Sequence, residues 1–340
     1  MKALVKFALG REGMGIREVP EPFPEKGEIK IEIKAVGICG SDIHTMIDER
    51  KANMPVTLGH EFVGEICKVG EGVDGFAVGD WVVALPAVGG CGVCHFCKNG
   101  EPTMCNQRAS IGTHLNGAMA KYLVIPAQFA FQVPEEAEDR ISLAAAEPFA
   151  CCVHGIMEKI QVRPGDVAVV SGPGLMGLSC LQVLKACGVH VVVSGLPRDR
   201  ERLETALAMG ADKIATCFEE LKVAVGALNQ EGADVAIECA TAAASAEACV
   251  DILRKQGTYL QIGVFGDRIP FDLSKVLRKE LMVTGANCTT VGAWKKTLQM
   301  IKAGTADLRP LITCQYPLEE WEKGFDLVMS QTAFRVLLIP

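Results

Sequence analysis

The chain has 340 residues, of which 49% are hydrophobic and 22% are charged, and its formal net charge is -7. This length suggests two domains and allows three, while the composition excludes a disordered chain. Because 41 acidic residues outnumber 34 basic ones, binding to a phosphate backbone is disfavoured and we expect no nucleic-acid partner.

The first 150 residues alternate short β-branched segments with glycine-rich turns. This pattern is typical of an irregular, largely antiparallel β domain. Strands are predicted at 28–35, 62–69, 81–85 and 122–125.

No apolar segment of signal-peptide length follows Met1, so we expect no export and a cytoplasmic location.

From about residue 150 helices alternate with apolar strands, which predicts an α/β region with a doubly wound parallel sheet that continues to about residue 288. The longest uncharged run, 167–184, reaches the length of a membrane span. A glycine turn at Gly172 interrupts it, so we expect strand, turn and helix there and no membrane association. The predicted helices are 144–159, 175–187, 292–303 and 318–330, and the predicted strands are 167–171, 190–194, 235–239, 259–262, 281–284 and 335–339.

Cys91, Cys94, Cys97 and Cys105 are separated by two, two and seven residues in a glycine-rich segment. Four thiolates on a tight loop suit tetrahedral Zn²⁺ with no open position, which predicts a structural zinc site. An iron-sulfur loop of the ferredoxin type would place its fourth cysteine sooner and follow it with proline, whereas Asn106 follows here. Four unrelated core cysteines are the other alternative. The odd total of fifteen cysteines favours metal ligands and buried thiols over complete disulfide pairing.

Cys39, His60, Glu61 and Glu147 form a second, dispersed set of candidate metal ligands. A catalytic zinc has three protein ligands and an open fourth position, and a thiolate, an imidazole and a carboxylate meet that requirement. Taken singly, each residue is more simply explained as a core residue or, for Glu147 before a proline, as a helix end. Their combination is what predicts a catalytic zinc.

Gly172, Gly174 and Gly177 form a GxGxxG pattern, completed by Leu175 and Met176, after a predicted strand and at the start of a predicted helix. Gly172 permits a tight turn, and Gly174 lets the backbone approach a pyrophosphate. Gly177 lets the helix pack on the strand. Since the helix N-terminus then faces the phosphates, the pattern predicts a dinucleotide site over a simple turn.

The second strand of this unit ends at Ser194, where an NAD enzyme has an acidic residue for the adenosine ribose. Gly195 stands in that place, and Arg198 and Arg200 follow closely. An arginine near a missing acid accommodates the 2′-phosphate of NADP. The alternative puts these arginines on a solvated helix face, paired with acidic neighbours. The pattern favours NADP over NAD by a small margin.

Three of these features together resemble the zinc-dependent medium-chain dehydrogenase/reductase family, in particular its branch of sorbitol (polyol), threonine and butanediol dehydrogenases. They are the four-cysteine loop, the dispersed set of candidate ligands and the glycine pattern. The resemblance covers the whole chain. It implies a GroES-like catalytic domain at 1–150, a Rossmann NAD(P)-binding domain at 151–288 and a return to the catalytic domain at 289–340. It also implies a homodimer or homotetramer, while the two candidate ligand sets predict two zinc ions per chain.

The segment around Cys39 resembles the family's catalytic-zinc and proton-relay segment. The resemblance implies Cys39 as a zinc ligand and Ser41 and His44 as the relay, with Asp42 orienting the ligand His60. Turn capping and a surface imidazole are the alternatives for Ser41 and His44.

The segment 59–61 resembles the second zinc segment of the family and implies His60 and Glu61 as further ligands. Glu147, followed by a proline, matches the polyol branch and is implied as a fourth or alternate ligand.

The resemblance implies reversible oxidation of a secondary alcohol, within a polyol or related hydroxyl compound, to a ketone, with hydride transfer to NADP or NAD. Sorbitol itself is not implied, because Cys288 stands where sorbitol dehydrogenases carry a pocket arginine. L-Threonine or butanediol dehydrogenase activity is an alternative within the branch. A zinc-independent NADPH quinone or enone reductase of the same fold, which would not need the dispersed ligand set, is another. A zinc module that binds nucleic acid would not need the Gly172 turn.

Overall fold

The computed structural model describes residues 1–99 and 101–340, which form two compact units. Unit 1 comprises Met1–Glu147 and Asp307–Pro340, and unit 2 comprises Pro148–Ala306. Unit 1 therefore contains both ends of the chain. In the described residues, none of the helices combines the length and the apolar content that crossing a membrane requires.

The N-terminal segment of unit 1 consists mainly of short strands. In chain order its elements are β1 (Lys2–Lys6), β2 (Met14–Glu18), β3 (Glu28–Gly37), α1 (Gly40–Met46), β4 (Val56–Thr57), β5 (Glu61–Val69), β6 (Trp81–Ala84), β7 (Ala87–Val88), α2 (His95–Lys98), β8 (Ala109–Ser110), β9 (Tyr122–Pro126) and β10 (Ala130–Gln132). Short 3-10 helices occur at Arg11–Gly13, Pro102–Met104, Ala127–Phe129 and Ile141–Ala145.

Helices and strands alternate in the rest of the chain. They are α3 (Ala146–His154), β11 (Val167–Ser171), α4 (Leu175–Ala186), β12 (His190–Ser194), α5 (Arg200–Ala208), β13 (Lys213–Ala215), α6 (Phe218–Gly226), β14 (Ala233–Glu238), α7 (Ala243–Ile252), β15 (Leu253–Gln261), α8 (Leu273–Lys279), β16 (Met282–Gly285) and α9 (Val291–Lys302). The segment that returns to unit 1 adds β17 (Ile312–Pro317), α10 (Trp321–Met329) and β18 (Arg335–Ile339).

Strand β3 lies near the centre of the main sheet of unit 1, whose order is β10-β6-β5-β3-β18-β17, with β9 also paired to β3. Its pairs with β5, β9 and β18 are antiparallel. In β18, Val336, Leu337 and Leu338 are fully buried, so the C-terminal strand is part of this core. The expected irregular β architecture is confirmed.

The sheet of unit 2 has the order β13-β12-β11-β14-β15-β16, and all its pairs are parallel. In order of appearance this is 3-2-1-4-5-6, the order of the doubly wound dinucleotide-binding fold. Strands β11 and β12 are almost wholly buried, which explains their unbroken valine-rich sequences. The predicted Rossmann sheet is confirmed.

The helix predicted at 144–159 is divided. A 3-10 helix precedes α3, and Gly155–Lys159 forms a π-helical turn after it. In this turn Glu158 accepts hydrogen bonds from Lys296 at 2.8 Å and from Thr290 at 2.7 Å. These partners lie more than a hundred residues away in sequence, so local periodicity cannot predict the π turn.

Candidate functional site

The pairing of β3 with β5 brings Cys39, His60 and Glu61 together. Glu61 lies opposite Gly37 across the two strands. Cys39 follows Gly37 by two residues and His60 directly precedes Glu61, so both lie at the same end of the sheet. Gly59, with φ +89°, makes the turn that precedes β5. One donor atom from each of the three side chains lies within 4.8 Å of the others. The predicted ligands are therefore close enough to hold one metal ion.

Two residues of α1 contact the ring of His60. Oδ1 of the buried Asp42 lies 3.7 Å from Nδ1, and Oγ of Ser41 lies 3.5 Å from Nε2. The other carboxylate oxygen of Asp42 accepts the backbone N–H of Cys39 at 2.9 Å. Burial acts to lower the pKa of His60, but Asp42 and Cys39 outweigh it and raise this pKa well above its ordinary value. A metal ion binds the neutral ring and competes with that proton.

Glu61 is a buried carboxylate that accepts no hydrogen bond from the part of the chain that the structure describes. Its side chain is 1% exposed, and neither Oε1 nor Oε2 has a hydrogen-bond partner there. Oε2 lies 3.2 Å from Nε of Arg335, without hydrogen-bond geometry. A buried charge is costly unless it is paired or bound to a metal. These orphaned oxygens, beside a thiol and an imidazole, fit Zn²⁺.

Arg335 is a part of this site that the sequence did not reveal. It begins β18 and is 6% exposed, and its Nη1 donates to the backbone oxygen of Ile38. The available signal was a basic residue at the start of an otherwise apolar strand. The sequence could not show that Glu61 is its partner, because the pairing of β18 with β3 brings together segments from opposite ends of the chain.

We expect Arg335→Gln to destabilise the metal-free protein more than the zinc-loaded protein. Without the guanidinium, the buried charge of Glu61 is uncompensated, at a cost of about 3 to 5 kcal/mol, whereas bound zinc supplies the missing positive charge. The rise in melting temperature on adding zinc should therefore be larger than in the wild type. Arg309→Gln, which removes a half-exposed arginine of unit 1, should leave that rise unchanged. Equal rises in all three proteins would contradict the role of Arg335.

Ser41, His44 and Glu147 are the remaining residues predicted at this site. Ser41 is close to His60, as described above. His44 is half exposed, and its Nδ1 lies 2.6 Å from Oε2 of Glu49. Glu147 is 8% exposed in the first turn of α3 and does not belong to the group of described side chains whose donor atoms meet within 4.8 Å. Its contact with a metal stays a prediction.

The loop after β7 brings together Cys91, Cys94, Cys97 and Cys105, with their sulfur atoms within 4.8 Å of one another. The sulfur of Cys91 accepts the backbone N–H of Cys94 at 3.2 Å, and that of Cys105 accepts the N–H of Gln107 at 3.3 Å. Backbone N–H groups lower the pKa of Cys91 to about 6 and also lower the pKa of Cys105. Such groups favour the thiolate, which is the form that binds zinc. This geometry fits a closed tetrahedral site.

The glycine turn after β11 has the shape that a dinucleotide needs. Gly172 has φ +103°, and a Cβ there would stand 2.8 Å from the backbone nitrogen of Ala240. A Cβ on Gly177 would stand 1.9 Å from the carbonyl oxygen of Gly172. At Gly174, the N-cap of α4, no such neighbour lies within 4 Å of the Cβ position among the described residues. That space at a helix N-terminus fits a pyrophosphate.

Three other predicted residues border this turn. Leu175 and Met176 form the first turn of α4, and Leu175 is 7% exposed. Ser194 ends β12, and its carbonyl oxygen accepts the backbone N–H of Gly172 at 2.8 Å. This backbone hydrogen bond therefore connects the ends of β11 and β12 at the start of the turn.

Gly195 lies against the glycine turn. A Cβ there would stand 3.0 Å from Cδ and Cγ of Pro173, so a larger residue would need the proline ring to move by a few tenths of an ångström. This close approach disfavours a larger side chain at the position of the missing acid. Arg200 is exposed on α5 and donates from Nε to Glu204 at 2.9 Å, which is the pairing that the solvated-face alternative expects. Arg198 is exposed in a short 3-10 helix, and its contact with a phosphate stays a prediction.

Two family profiles match the chain: the alcohol dehydrogenase GroES-like domain at residues 25–135 and the zinc-binding dehydrogenase at residues 176–303. The sorbitol dehydrogenase of Halalkalibacterium halodurans is 39% identical, and the alignment covers 100% of this chain and 99% of that protein. The D-arabitol-phosphate dehydrogenase of Enterococcus avium is 32% identical over 99% of this chain and 97% of that protein. A protein from Sinorhizobium meliloti assigned as a zinc-binding dehydrogenase, solved with NADP bound, superposes with a TM-score of 0.92 at 28% identity, covering 100% of this chain and 99% of that one.

Proposed function

The chain belongs to the zinc-dependent medium-chain dehydrogenase family, and from this premise we propose that it oxidises a secondary alcohol of the polyol class reversibly to a ketone. It is a zinc-dependent dehydrogenase that uses NAD or NADP. The observation that carries the proposal is the convergence of Cys39, His60 and Glu61 within 4.8 Å, because this donor set suits a catalytic zinc.

We assign Cys39, His60 and Glu61 as ligands of the catalytic zinc, with Glu147 as a fourth or alternate ligand. When bound, zinc would supply a Lewis acid that lowers the pKa of the substrate hydroxyl, and the nicotinamide cofactor would supply a hydride acceptor for the carbinol carbon. Asp42 lies on the Nδ1 side of the His60 ring, 3.7 Å away, which leaves Nε2 for the metal.

Ser41 and His44 are assigned to the path of the released proton. Oγ of Ser41 lies 3.5 Å from Nε2 of His60, beside the metal donors, so it can receive the proton first. His44 lies one turn later on α1 and is half exposed, so its ring can pass the proton to solvent. The contact of Nδ1 with Glu49 at 2.6 Å orients this ring.

The zinc-loaded enzyme should be assayed with polyols, polyol phosphates, simple secondary alcohols, butanediol and L-threonine, each with NAD and NADP. We expect the highest kcat/KM with a polyol-class substrate and a ketone as product. If L-threonine or butanediol is the best substrate, the proposed polyol class is wrong and the zinc-dependent chemistry still holds. Reduction of quinones or enones that survives removal of zinc would contradict the proposed function.

Arg198→Ala should lower kcat/KM with NADP and leave kcat/KM with NAD unchanged. A charge-assisted contact with the 2′-phosphate is worth about 1.5 to 3 kcal/mol, which corresponds to a loss of about 10-fold or more. Arg200→Ala is the matched control: because Arg200 already contacts Glu204 at 2.9 Å on the surface, its loss should change neither value by more than about 2-fold. If the wild-type enzyme instead prefers NAD to NADP by tenfold, Arg198 lies on a solvated face and does not contact the 2′-phosphate.

We further propose a homodimer or homotetramer in the cytoplasm. The oligomer rests on membership of the family alone, and sedimentation velocity would measure it. The location is supported by thiol chemistry, since the proposed structural zinc site, at Cys91, Cys94, Cys97 and Cys105, needs reduced sulfur.

A further inference from the structure

A fully buried carboxylate ends β14 in unit 2. Glu238 is 0% exposed, and its Oε1 accepts the backbone N–H groups of Ala240 and Thr241, both at 2.8 Å. The hydroxyl of Ser245 also donates to Oε1, at 2.8 Å. The side-chain amide of Gln261, on the neighbouring strand β15, donates to Oε2 at 2.8 Å. The buried charge is thus met by four donors from three segments of chain.

Two of these bonds hold the loop that follows β14 in an uncommon conformation. Thr241 has φ +56°, a left-handed conformation that a β-branched residue rarely adopts. Glu238 accepts the N–H groups of this residue and of the one before it. Such a conformation persists only where its surroundings enforce it, so the carboxylate is what fixes the loop.

This loop forms the surface on which the glycine turn lies. A Cβ on Gly172 would stand 2.8 Å from the nitrogen of Ala240 and 2.9 Å from the carbonyl carbon of Cys239. Glu238 also reaches the other side of the turn, because the Ser245 hydroxyl that it binds lies 2.8 Å from Oγ of Ser171, the residue before Gly172. A displaced loop would therefore move the backbone that faces the pyrophosphate.

We propose that Glu238 is a positioning residue for the dinucleotide: it fixes the loop 239–241 and Ser245, and through them the conformation of the Gly172 turn. Nothing in this role requires contact between Glu238 and the cofactor. The inference rests on the proposed function only in taking the ligand of the turn to be NAD or NADP.

Glu238→Ala should weaken binding of NADH and NADPH, measured by fluorescence titration without any alcohol, by ~10-fold or more. Glu238→Gln keeps one acceptor oxygen for the two backbone N–H groups, so it should weaken binding less. The zinc content should stay near the wild-type value in both variants, because Glu238 does not belong to either metal-donor group.

Asp234→Ala is the matched control, since Asp234 stands at the opposite end of the same strand. Its carboxylate accepts the backbone N–H of Val167 at 2.8 Å and Nε of Arg254 at 2.6 Å. Loss of these bonds should lower the melting temperature of the protein and leave both dinucleotide affinities unchanged. A matched loss of affinity in Asp234→Ala, in a protein shown to be folded, would mean that Glu238 acts only through general stability and would overturn the proposal.

Hydrogen exchange of the unliganded protein gives a second readout that does not depend on the cofactor. The amides of Ala240 and Thr241 should exchange faster in Glu238→Ala than in the wild type, and should be unchanged in Asp234→Ala. If Glu238→Ala does not fold, the same measurements on Glu238→Gln and Ser245→Ala decide the question. Unchanged affinity would overturn the proposal, whether or not the exchange of these amides changes.

The titrations also separate this inference from the proposed function. Inactivity on every alcohol would remove the proposed substrate class, while a loss of dinucleotide affinity in Glu238→Ala would still support the role of Glu238. An active polyol dehydrogenase whose dinucleotide affinity is unaffected by Glu238→Ala would retain the function and overturn the inference.

Discussion

Replacing Cys39 with serine should lower kcat/KM for the alcohol by roughly 1,000-fold and remove one zinc ion per chain. A serine hydroxyl is neutral at pH 7, so the site would lose its one thiolate, while His60, Glu61 and the proposed ligand Glu147 would remain beside the buried Arg335. The protein should still fold, because Cys39 is only the N-cap residue of the short helix α1. Metal analysis and steady-state kinetics on the purified variant check both expectations.

Cys67→Ser is the control for this experiment. Cys67 is an exposed free thiol on β5, the strand that begins with Glu61, so its loss should change neither zinc content nor kcat/KM. A Cys39→Ser enzyme that retains wild-type activity would contradict the assignment of Cys39 as a catalytic ligand.

Replacing Cys97 with serine should instead lower stability, with a fall of about 10 °C in melting temperature, if the loss is ~3 to 5 kcal/mol. In the described residues of the loop between β7 and β8 the helices are short, and Val93 and Phe96 are 71% and 37% exposed, so a metal rather than apolar packing would hold the loop together. Zinc content should fall by one ion per chain, and limited proteolysis should cut the loop.

Cys217→Ser, which removes an exposed free thiol from unit 2, should leave the melting temperature and the zinc content unchanged. A Cys97→Ser protein with unchanged melting temperature and unchanged zinc would contradict a structural zinc at this loop.

The features that the sequence predicted well depend on local pattern. The strands at Val167–Ser171 and His190–Ser194 have the predicted bounds, because strands buried on both faces are continuous apolar runs. The glycine turn was predictable because each glycine meets its own steric requirement within a few residues. The four-cysteine loop was predictable for the same reason, since all its sulfur atoms come from one short segment.

The features that the sequence could not reveal depend on contacts between distant segments. Arg335 approaches Glu61 only because β18 pairs with β3. The hydrogen bond from Gln261 to Glu238 depends on how β14 and β15 are paired, and this pairing has an irregular register. No local pattern marks either carboxylate as having those partners, and only the folded arrangement shows them.

Metal-dependent activity is the most direct test of the account. The purified enzyme should contain two zinc ions per chain, and a mild chelator should remove the one bound by Cys39, His60 and Glu61 first, because the four-thiolate site has no open position. Dehydrogenase activity should disappear with that ion while the protein stays folded, and one equivalent of zinc should restore it. Full activity in protein that retains one zinc ion or none would contradict the account.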